Sequence, residues 1–365
     1  MKLVFIIDSK KNIGGGEYAQ FKFAIELAKR GHEILIFSGD KNFLYEELMK
    51  QKNLIIKYRR IIPLIKKRIG LGKLDRIWSK TYYSLYVKKE IKKFNPDWII
   101  GYLRESAIKA QKLGEKLNIK VANFIFENPK WMKEDLGILW EQEIKNKEFA
   151  KSWERTKIAY LKSDILIPNS KLSGKKCKEW IPKAKISEPV YPGINAPNLK
   201  KMKRDIDIIY VGRLNKLKNV NELLEACKNS NYKICIVGKG EEEENLKNQA
   251  NKLNLNVDFK GAVSDSEKWN LLNRSKLLVF PTSHEGFGMP PLEALAMGCN
   301  VLCSDIPIFK EIYGNEVEYF KLHDTKEISK KIEKLVKSKP KTTNELIKKY
   351  SWKSNIDKIE ILLGI

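Results

Sequence analysis

Short apolar runs alternate along this chain with segments whose apolar residues have helical spacing. Residues 2–8 predict a buried strand, residues 14–16 a glycine loop, and residues 18–29 a helix. Gly31 is placed to end that helix, and residues 34–37 predict the next strand. This order of strand, loop, helix and strand is typical of a parallel α/β unit.

The same order of elements returns in the second half of the chain. Residues 206–211 predict a strand, residues 220–227 a helix and residues 233–237 another strand. The second strand leads directly into the glycine pair of Gly238 and Gly240. We therefore expect an α/β protein with two Rossmann-like halves in tandem.

Residues that interrupt regular structure separate the two halves. Pro189, Pro192, Gly193 and Pro197 fall within a few residues of one another. We therefore predict three segments before the C-terminal region. They are an N-terminal domain over 1–190, a linker over 191–200 and a C-terminal domain over 201–345.

The composition of the chain limits the cellular compartments and the kinds of partner that fit it. The 365 residues carry a formal net charge of +25, which attracts anions such as nucleic acid, lipid headgroups or nucleotides. Five cysteines without a C-x-x-C pair indicate neither a disulfide framework nor a zinc site, and favour a reducing, cytoplasmic setting. The apolar run at the start is too short for a signal peptide, and no run reaches the length of a membrane span.

The positive charge is concentrated in residues 51–93, which contain fourteen Lys and Arg against two Asp and Glu. Leu74, Trp78 and Tyr82 would share one face of a helix there, beside a basic stripe. One interpretation is binding to an anionic membrane, which would place the protein peripherally at the inner membrane face with a lipid-linked acceptor. The other is an ordinary helix with solvated lysines.

The most informative stretch follows a predicted strand over residues 277–280. A turn containing Gly286, Phe287 and Gly288 comes next, and a helix then begins near Pro290 and Pro291. The backbone N–H groups of this turn would face the crevice at the carboxyl end of the strand, where they suit an anion.

Two carboxylates flank this turn. Glu285 is expected in the turn itself and Glu293 in the first helical turn. Carboxylates accept hydrogen bonds from hydroxyl groups, so this pair suits a ligand with sugar rings on both sides of a diphosphate. A nucleotide sugar has that layout.

Glu285 and Glu293 also reproduce the E-x7-E signature, and the chain here resembles family 4 of the glycosyltransferases. Arg213 and Lys218 match the family's G-R-L-x-x-x-K element, although Asn219 stands where the family usually has Gly. The other matching positions are Gly15 and Gly16 in the N-terminal loop, Gly238 after a strand, Val263 in the loop that passes the base, and Ser351-Trp352 at the start of the last helix.

The resemblance implies a GT-B fold, with two Rossmann-like domains facing each other across a cleft. It also implies a C-terminal helix over 346–365 that returns to the first domain. The implied activity is that of a retaining glycosyltransferase, which needs no cofactor and no metal in the chemical step. Its donor would be a UDP- or GDP-linked sugar, and its acceptor a glycan or a lipid-linked sugar.

The resemblance also assigns roles to single residues. Arg213 and Lys218 would stabilise the departing diphosphate, which gains charge in the transition state. Glu293 would bind the nucleotide ribose and Glu285 the donor sugar. Gly15, Gly16, Gly238, Val263 and the turn of Gly286, Phe287 and Gly288 would line the donor and its phosphates.

One departure from the family concerns the end of the strand near residues 122–126. Many members have a His beside the donor sugar there, whereas this chain has Glu127 and Asn128, which we expect to contact the sugar instead. His284, next to Glu285, fits either a donor contact or simple packing.

Two other functions fit part of the pattern. Sugar-nucleotide epimerases share the fold, but they lack this E-x7-E arrangement. A basic scaffold or nucleic-acid-binding protein would explain the charge, yet the chain has no RNA- or DNA-binding motif, so nucleic acid is not an expected partner.

Overall fold

The computed structural model describes residues 1–7, 15–39, 45–58, 84–340 and 343–364. The chain divides into two compact units, and both are discontinuous in sequence. Unit 1 comprises Met1–Lys130, Leu139–Val190 and Ile356–Ile365, and unit 2 comprises Trp131–Ile138 and Tyr191–Asn355. Each unit is built around its own parallel sheet.

Unit 1 contains six short strands: β1 (Lys2–Ile7), β2 (Glu33–Ser38), β3 (Leu54–Tyr58), β4 (Trp98–Gly101), β5 (Lys120–Ile125) and β6 (Ile165–Pro168). They form one sheet in the order β3-β2-β1-β4-β5-β6, and every neighbouring pair is parallel. Consecutive residues of β1 and β2 are buried, as expected for a parallel sheet covered on both faces.

Helices join these strands as parallel connections require. Those up to residue 190 are α1 (Gly15–Lys29), α2 (Tyr45–Met49), α3 (described over 84–94), α4 (Arg104–Leu117), α5 (Pro129–Leu136), α6 (Ile138–Ile144), α7 (Lys147–Lys162) and α8 (Lys171–Trp180). One core cluster packs Val87 and Ile91 of α3 against strand residues such as Val4 and Ile99. A second cluster joins Tyr160 of α7 to Cys177 of α8.

Unit 2 contains β7 (Ile206–Val211), β8 (Ile234–Val237), β9 (Val257–Gly261), β10 (Ser275–Phe280), β11 (Asn300–Ser304) and β12 (Glu318–Phe320). Their order is β12-β11-β10-β7-β8-β9, again with parallel neighbours. Counted from its own first strand, this sheet has the same order as the sheet of unit 1. Both units therefore have the six-stranded Rossmann arrangement, and the prediction of two Rossmann-like halves is confirmed.

The helical elements of the second half are the 3₁₀ turn Lys216–Lys218, α9 (Val220–Ala226), α10 (Glu243–Lys252), α11 (Asp265–Asn273), α12 (Met289–Ala296), α13 (Pro307–Tyr313), α14 (Thr325–Lys337), α15 (Asn344–Lys349) and α16 (Trp352–Leu363). The end of α16 belongs to unit 1. Arg30 binds Asp357 and Glu360 there at 2.5 and 2.6 Å, and Trp98 donates to the carbonyl of Leu363.

The structure corrects two expectations about local geometry. Gly15 and Gly16 were expected in a loop, but they form the first turn of α1. Glu293 was expected in the first turn of its helix, but α12 already begins at Met289, so Glu293 lies one turn further in. The prolines are tolerated at the start of α12 because the first helical N–H groups have no partner within the helix.

Other predictions concern burial and the membrane. All five cysteines are buried and free, so they pack as small core residues. Among the described residues, no helix is both long and apolar enough to span a bilayer. Residues 59–83, which include most of the basic segment, lie outside the described residues.

Candidate functional site

The candidate site of unit 2 lies where β7 and β10 pair at the centre of the sheet. Strand order runs outwards in opposite directions from this pair, so the connections after the two strands diverge and leave a crevice at their carboxyl ends. Arg213 and Lys218 follow β7, whereas Glu285 follows β10. Sequence positions far apart along the chain are therefore brought to one edge of the sheet.

Lys218 and Glu285 form the first ion pair of this site. The Lys218 ammonium lies 2.5 Å from Glu285 Oε1, and the two side chains are only 16% and 18% exposed. Lys218 also lies 3.3 Å from Thr282 Oγ1 and 3.4 Å from the carbonyl of His284. All three ammonium hydrogens thus have an acceptor within the protein.

Asn219 explains how the chain reverses after Lys218. Its backbone is left-handed, with φ of 46°, between the 3₁₀ turn and α9. Asparagine tolerates this conformation better than most residues with a side chain. It can therefore occupy the position at which glycosyltransferase family 4, which the chain resembles, usually has glycine. Its side-chain amide also donates to the carbonyl of Pro281 at 3.0 Å and ties this loop to the end of β10.

The turn before α12 depends on one glycine and one buried ring. Gly288 has φ of +84°, and a Cβ atom there would lie 2.5 Å from the ring of Phe309, so this position requires glycine. Phe287 is buried and packs on Tyr191 and Tyr350, which anchors the turn. Within the described residues, the backbone N–H groups of Phe287 and Gly288 have no acceptor.

Lys268 and Glu293 form a second ion pair, which the sequence pattern did not predict. The Lys268 ammonium lies 2.6 Å from Glu293 Oε1 and 3.3 Å from Asp265 Oδ1. Burial alone would lower the pKa of Lys268, but the carboxylates of Glu293 and Asp265 offset this effect and leave its pKa raised. Lys268 is therefore a charged partner for Glu293, whose side chain is only 6% exposed.

The remaining predicted residues of unit 2 lie on neighbouring loops. Arg213 is exposed directly after Gly212, and its carbonyl accepts a hydrogen bond from Tyr210 at 2.8 Å. Gly238 has φ of +136° and packs against the carbonyl of Gly212, where a Cβ atom would clash at 1.8 Å. Val263 is half-buried just before α11.

His284 has a defined partner within unit 2. Its Nδ1 lies 2.8 Å from Asp135 Oδ2, and its ring meets Trp131 edge-on with 5.1 Å between the ring centres. The side chain is 9% exposed. Of the two interpretations left open for His284, packing is supported by these contacts, and its contact with a donor stays a prediction.

Four predicted residues lie in unit 1. Gly15 and Gly16 begin α1, and a Cβ atom at Gly15 would meet no atom within 4 Å. Glu127 is half-buried and Asn128 fully buried after β5. Their assignment to the donor and its sugar stays a prediction.

One sequence signal could have drawn attention to Lys268. Ser264 caps α11 by accepting the backbone N–H of Glu267, and this serine and glutamate are spaced as at many helix starts. Lys268 could thus have been placed in the first turn of a helix that follows the loop of Val263. Its pairing with Glu293, 25 positions away, depends on how α11 packs on α12.

Known proteins resemble this chain in sequence over part of its length and in fold over all of it. Residues 194–351 match the model of the family described as "Glycosyl transferases group 1". Over 76 residues the chain is 43% identical to the serotype-specific mannosyltransferase WbdA of Escherichia coli. These 76 residues are 21% of this chain and 9% of WbdA. The chain thus aligns with a small part of that relative.

A longer alignment joins the chain to an enzyme of Campylobacter jejuni, an N-acetylgalactosamine-N,N'-diacetylbacillosaminyl-diphospho-undecaprenol 4-alpha-N-acetylgalactosaminyltransferase. The identity is 28% over 238 residues, which cover 57% of this chain and 62% of the relative. This alignment, too, spans less than two thirds of the relative.

The whole chain can be superposed on solved structures. Anabaena HepE in complex with UDP and glucose matches with a TM-score of 0.75 and 15% identity, covering 100% of this chain and 99% of HepE. At this identity the likeness concerns the fold. The chain therefore has the GT-B fold, and the part of it that contains both ion pairs matches the glycosyl transferases group 1.

Proposed function

We propose that this protein is a retaining glycosyltransferase that moves a sugar from a nucleoside diphosphate sugar to a glycan or lipid-linked acceptor. The observation that carries the proposal is the pair of Lys–Glu contacts on either side of the Gly286–Gly288 turn, at the centre of the second sheet. Each carboxylate is held by a lysine, and between them in the sequence lie the N–H groups of Phe287 and Gly288, for which the described residues supply no acceptor.

The diphosphate of the donor would occupy the space above this turn. The N–H groups of Phe287 and Gly288 are oriented donors at a helix start, where phosphate groups are favoured. Arg213 and Lys218 add two positive charges from the loop after β7. Their interaction with the diphosphate would strengthen as the bond to the sugar breaks, which lowers the barrier to transfer.

Ligand binding would rearrange the first ion pair. Lys218 has no unused hydrogen in the structure, so a phosphate oxygen must take the place of one of its acceptors. If the phosphate replaces Glu285, this carboxylate becomes available for hydroxyl groups of the donor sugar. The exchange couples diphosphate binding to sugar binding through a single contact.

The second ion pair suits the nucleotide ribose. Glu293 binds Lys268 through Oε1, and Oε2 has no hydrogen-bond donor among the described residues. A carboxylate with one anchored oxygen can present the other to a ribose hydroxyl in a fixed orientation. Lys268 would thus position Glu293, and the ribose would complete its hydrogen bonds.

The remaining parts of the proposal rest on the resemblance to family 4 and on named relatives. They are transfer with retention, without a metal, a cofactor or a dedicated protein base. The name of WbdA describes a mannosyltransferase. The name of the Campylobacter jejuni enzyme describes an N-acetylgalactosaminyltransferase whose acceptor is a sugar linked to diphospho-undecaprenol. Of the two donors expected, UDP- or GDP-linked, the UDP-linked one has the support of HepE, which was solved with UDP and glucose.

A thermal-shift screen against UDP, GDP, ADP and their sugars would test whether the protein binds a nucleotide, and which one. A ligand present at 100 times its Kd adds about 2.7 kcal/mol to the free energy of unfolding. We expect one nucleotide to give this shift, and the variant Lys218→Ala to reduce it. Lys216→Ala is the matched control, because Lys216 is an exposed lysine of the same 3₁₀ turn.

The transfer itself requires a second assay. The preferred nucleotide sugar is incubated with lipid-linked and free glycan acceptors, and the anomeric configuration of the product is compared with that of the donor by NMR. Retention supports the proposal and inversion contradicts it. A new epimer of the donor in the absence of any acceptor would show an epimerase instead.

A further inference from the structure

Arg104 lies in unit 1 at the position that corresponds to the candidate site of unit 2. In unit 2 the charged residues follow β7 and β10, the central pair of the sheet. The central pair of unit 1 is β1 and β4, and Arg104 comes three residues after the end of β4, as the first residue of α4. In sheets of this order, ligands bind at that point.

Two aromatic rings hold the Arg104 guanidinium in place. Its central carbon lies 4.4 Å from the ring centre of Phe149 and 4.7 Å from that of Trp153, both on α7. Nη1 donates to Ser152 Oγ at 3.2 Å. Contacts with aromatic rings attract a cation and fix its plane, but they leave the edge of the guanidinium available for hydrogen bonds.

The charge of Arg104 has no counterion in the part of the chain that the structure describes. No carboxylate lies within ion-pair distance, and Ser152 is its one hydrogen-bond partner there. Burial raises the pKa of the Tyr160 hydroxyl; nearby Cys177 and Glu127 raise it further, whereas Arg104 opposes them. Glu127 and Arg104 thus both act on Tyr160, but they form no ion pair with each other.

Two unused donors and one strained residue belong to the segments that hold this arginine. Trp153 Nε1 and the hydroxyl of Tyr102 are buried and have no hydrogen-bond partner among the described residues, although such groups are normally satisfied. Leu103, directly before Arg104, has φ of 37°, which is unusual for a leucine, and its side chain does not cap α4. Strain of this kind is often found at binding sites.

From these observations we propose that Arg104 binds a phosphate or diphosphate group carried by the acceptor. A guanidinium binds phosphate oxygens through two parallel hydrogen bonds, and the N–H groups at the start of α4 add to the attraction. The inference rests on the proposed function, because it assigns this group to the acceptor and not to the nucleotide. It makes Arg104 a determinant of acceptor specificity.

Titration calorimetry with inorganic pyrophosphate would test this site in the full chain. The protein is first saturated with UDP, so that the site at Lys218 is filled. We expect pyrophosphate still to bind, and the variant Arg104→Gln to weaken this binding by about 10- to 100-fold, as expected when hydrogen bonds to a charged group are lost. Arg104→Lys keeps the positive charge but cannot form two parallel hydrogen bonds. Its affinity for pyrophosphate should therefore lie between those of the parent and Arg104→Gln.

Arg155→Gln is the matched control, since Arg155 is an exposed arginine of α7 that lies two residues from Trp153. It should bind pyrophosphate like the parent. Equal binding by Arg104→Gln and the parent would overturn the proposal, as would equal losses in the two Arg→Gln variants. Circular dichroism of Arg104→Gln and Arg104→Lys establishes that a loss of binding is not a loss of fold.

The same experiment separates this inference from the proposed function. If UDP does not bind, the assignment of the nucleotide site fails, while a pyrophosphate site that depends on Arg104 still supports an anion site in unit 1. Titration with orthophosphate distinguishes the two kinds of acceptor group. Tighter binding of pyrophosphate supports a diphosphate, and equal binding supports a phosphate monoester.

Discussion

The ion pair of Lys268 and Glu293 offers the sharpest test of the site as a physical arrangement. Its two charged atoms lie 2.6 Å apart, with the lysine side chain 15% and the glutamate side chain 6% exposed. Replacing Lys268 by methionine keeps a flexible chain of similar length but removes the charge. The carboxylate of Glu293 would then be left largely buried with no cation beside it.

The cost of this change follows from the burial of the pair. Removing one partner of a buried ion pair costs about 3–5 kcal/mol, because the remaining charge has neither water nor a counterion. Since the lysine end is slightly exposed, we expect the lower end of this range, about 3 kcal/mol. For a unit of this size each kcal/mol lowers Tm by about 2–4 °C, so Tm of unit 2 should fall by about 6–12 °C.

Thermal unfolding at neutral pH, followed by circular dichroism, would measure this fall. Lys276→Met is the matched control. Lys276 also pairs with a carboxylate, Asp207 at 2.7 Å, but its side chain is 38% exposed. Exposed pairs contribute about 0–1 kcal/mol, so this variant should lose at most a few degrees.

A second variant separates the charge from the packing. Adding Glu293→Gln to Lys268→Met removes the unpaired charge, and much of the lost stability should return. If Lys268→Met costs no more than Lys276→Met, or if the double variant is no more stable than Lys268→Met, the burial argument is wrong.

Three further predictions concern the backbone and pH. Asn219→Ala should lower the free energy of unfolding by about 1–2 kcal/mol, because alanine is disfavoured at φ of 46°. Asn219→Gly should lower it less, and urea unfolding would measure both variants. Gly288→Ala should cost about 1–3 kcal/mol in the same assay, and more than Gly314→Ala, which also has positive φ but no atom within 4 Å of the added Cβ. Asp205 accepts hydrogen bonds from Arg274, which lower its pKa to about 2 in the folded state; its stabilisation is therefore present above about pH 4 and is lost as the pH falls towards 2. Acid unfolding of Asp205→Asn should consequently be less steep in this window than that of the parent.

The sequence by itself predicted the main elements of the fold and most residues of the candidate site. Alternating apolar runs predicted β7 with the bounds found in the structure, and two repeats of strand, loop and helix predicted two Rossmann-like halves. Glycines, prolines and two carboxylates marked the turn before α12. These features are local, because hydrophobic periodicity and backbone preferences act over a few residues.

Tertiary structure alone decided which side chains meet. Lys218 and Glu285 are 67 positions apart, and they come together because β7 and β10 pair in parallel and end at the same edge of the sheet. Lys268 and Arg104 went unnoticed because their partners lie on helices that pack beside them, and a lysine or arginine in so basic a chain carries little information by itself. Pair interactions of this kind depend on distance and burial, which only the folded chain defines.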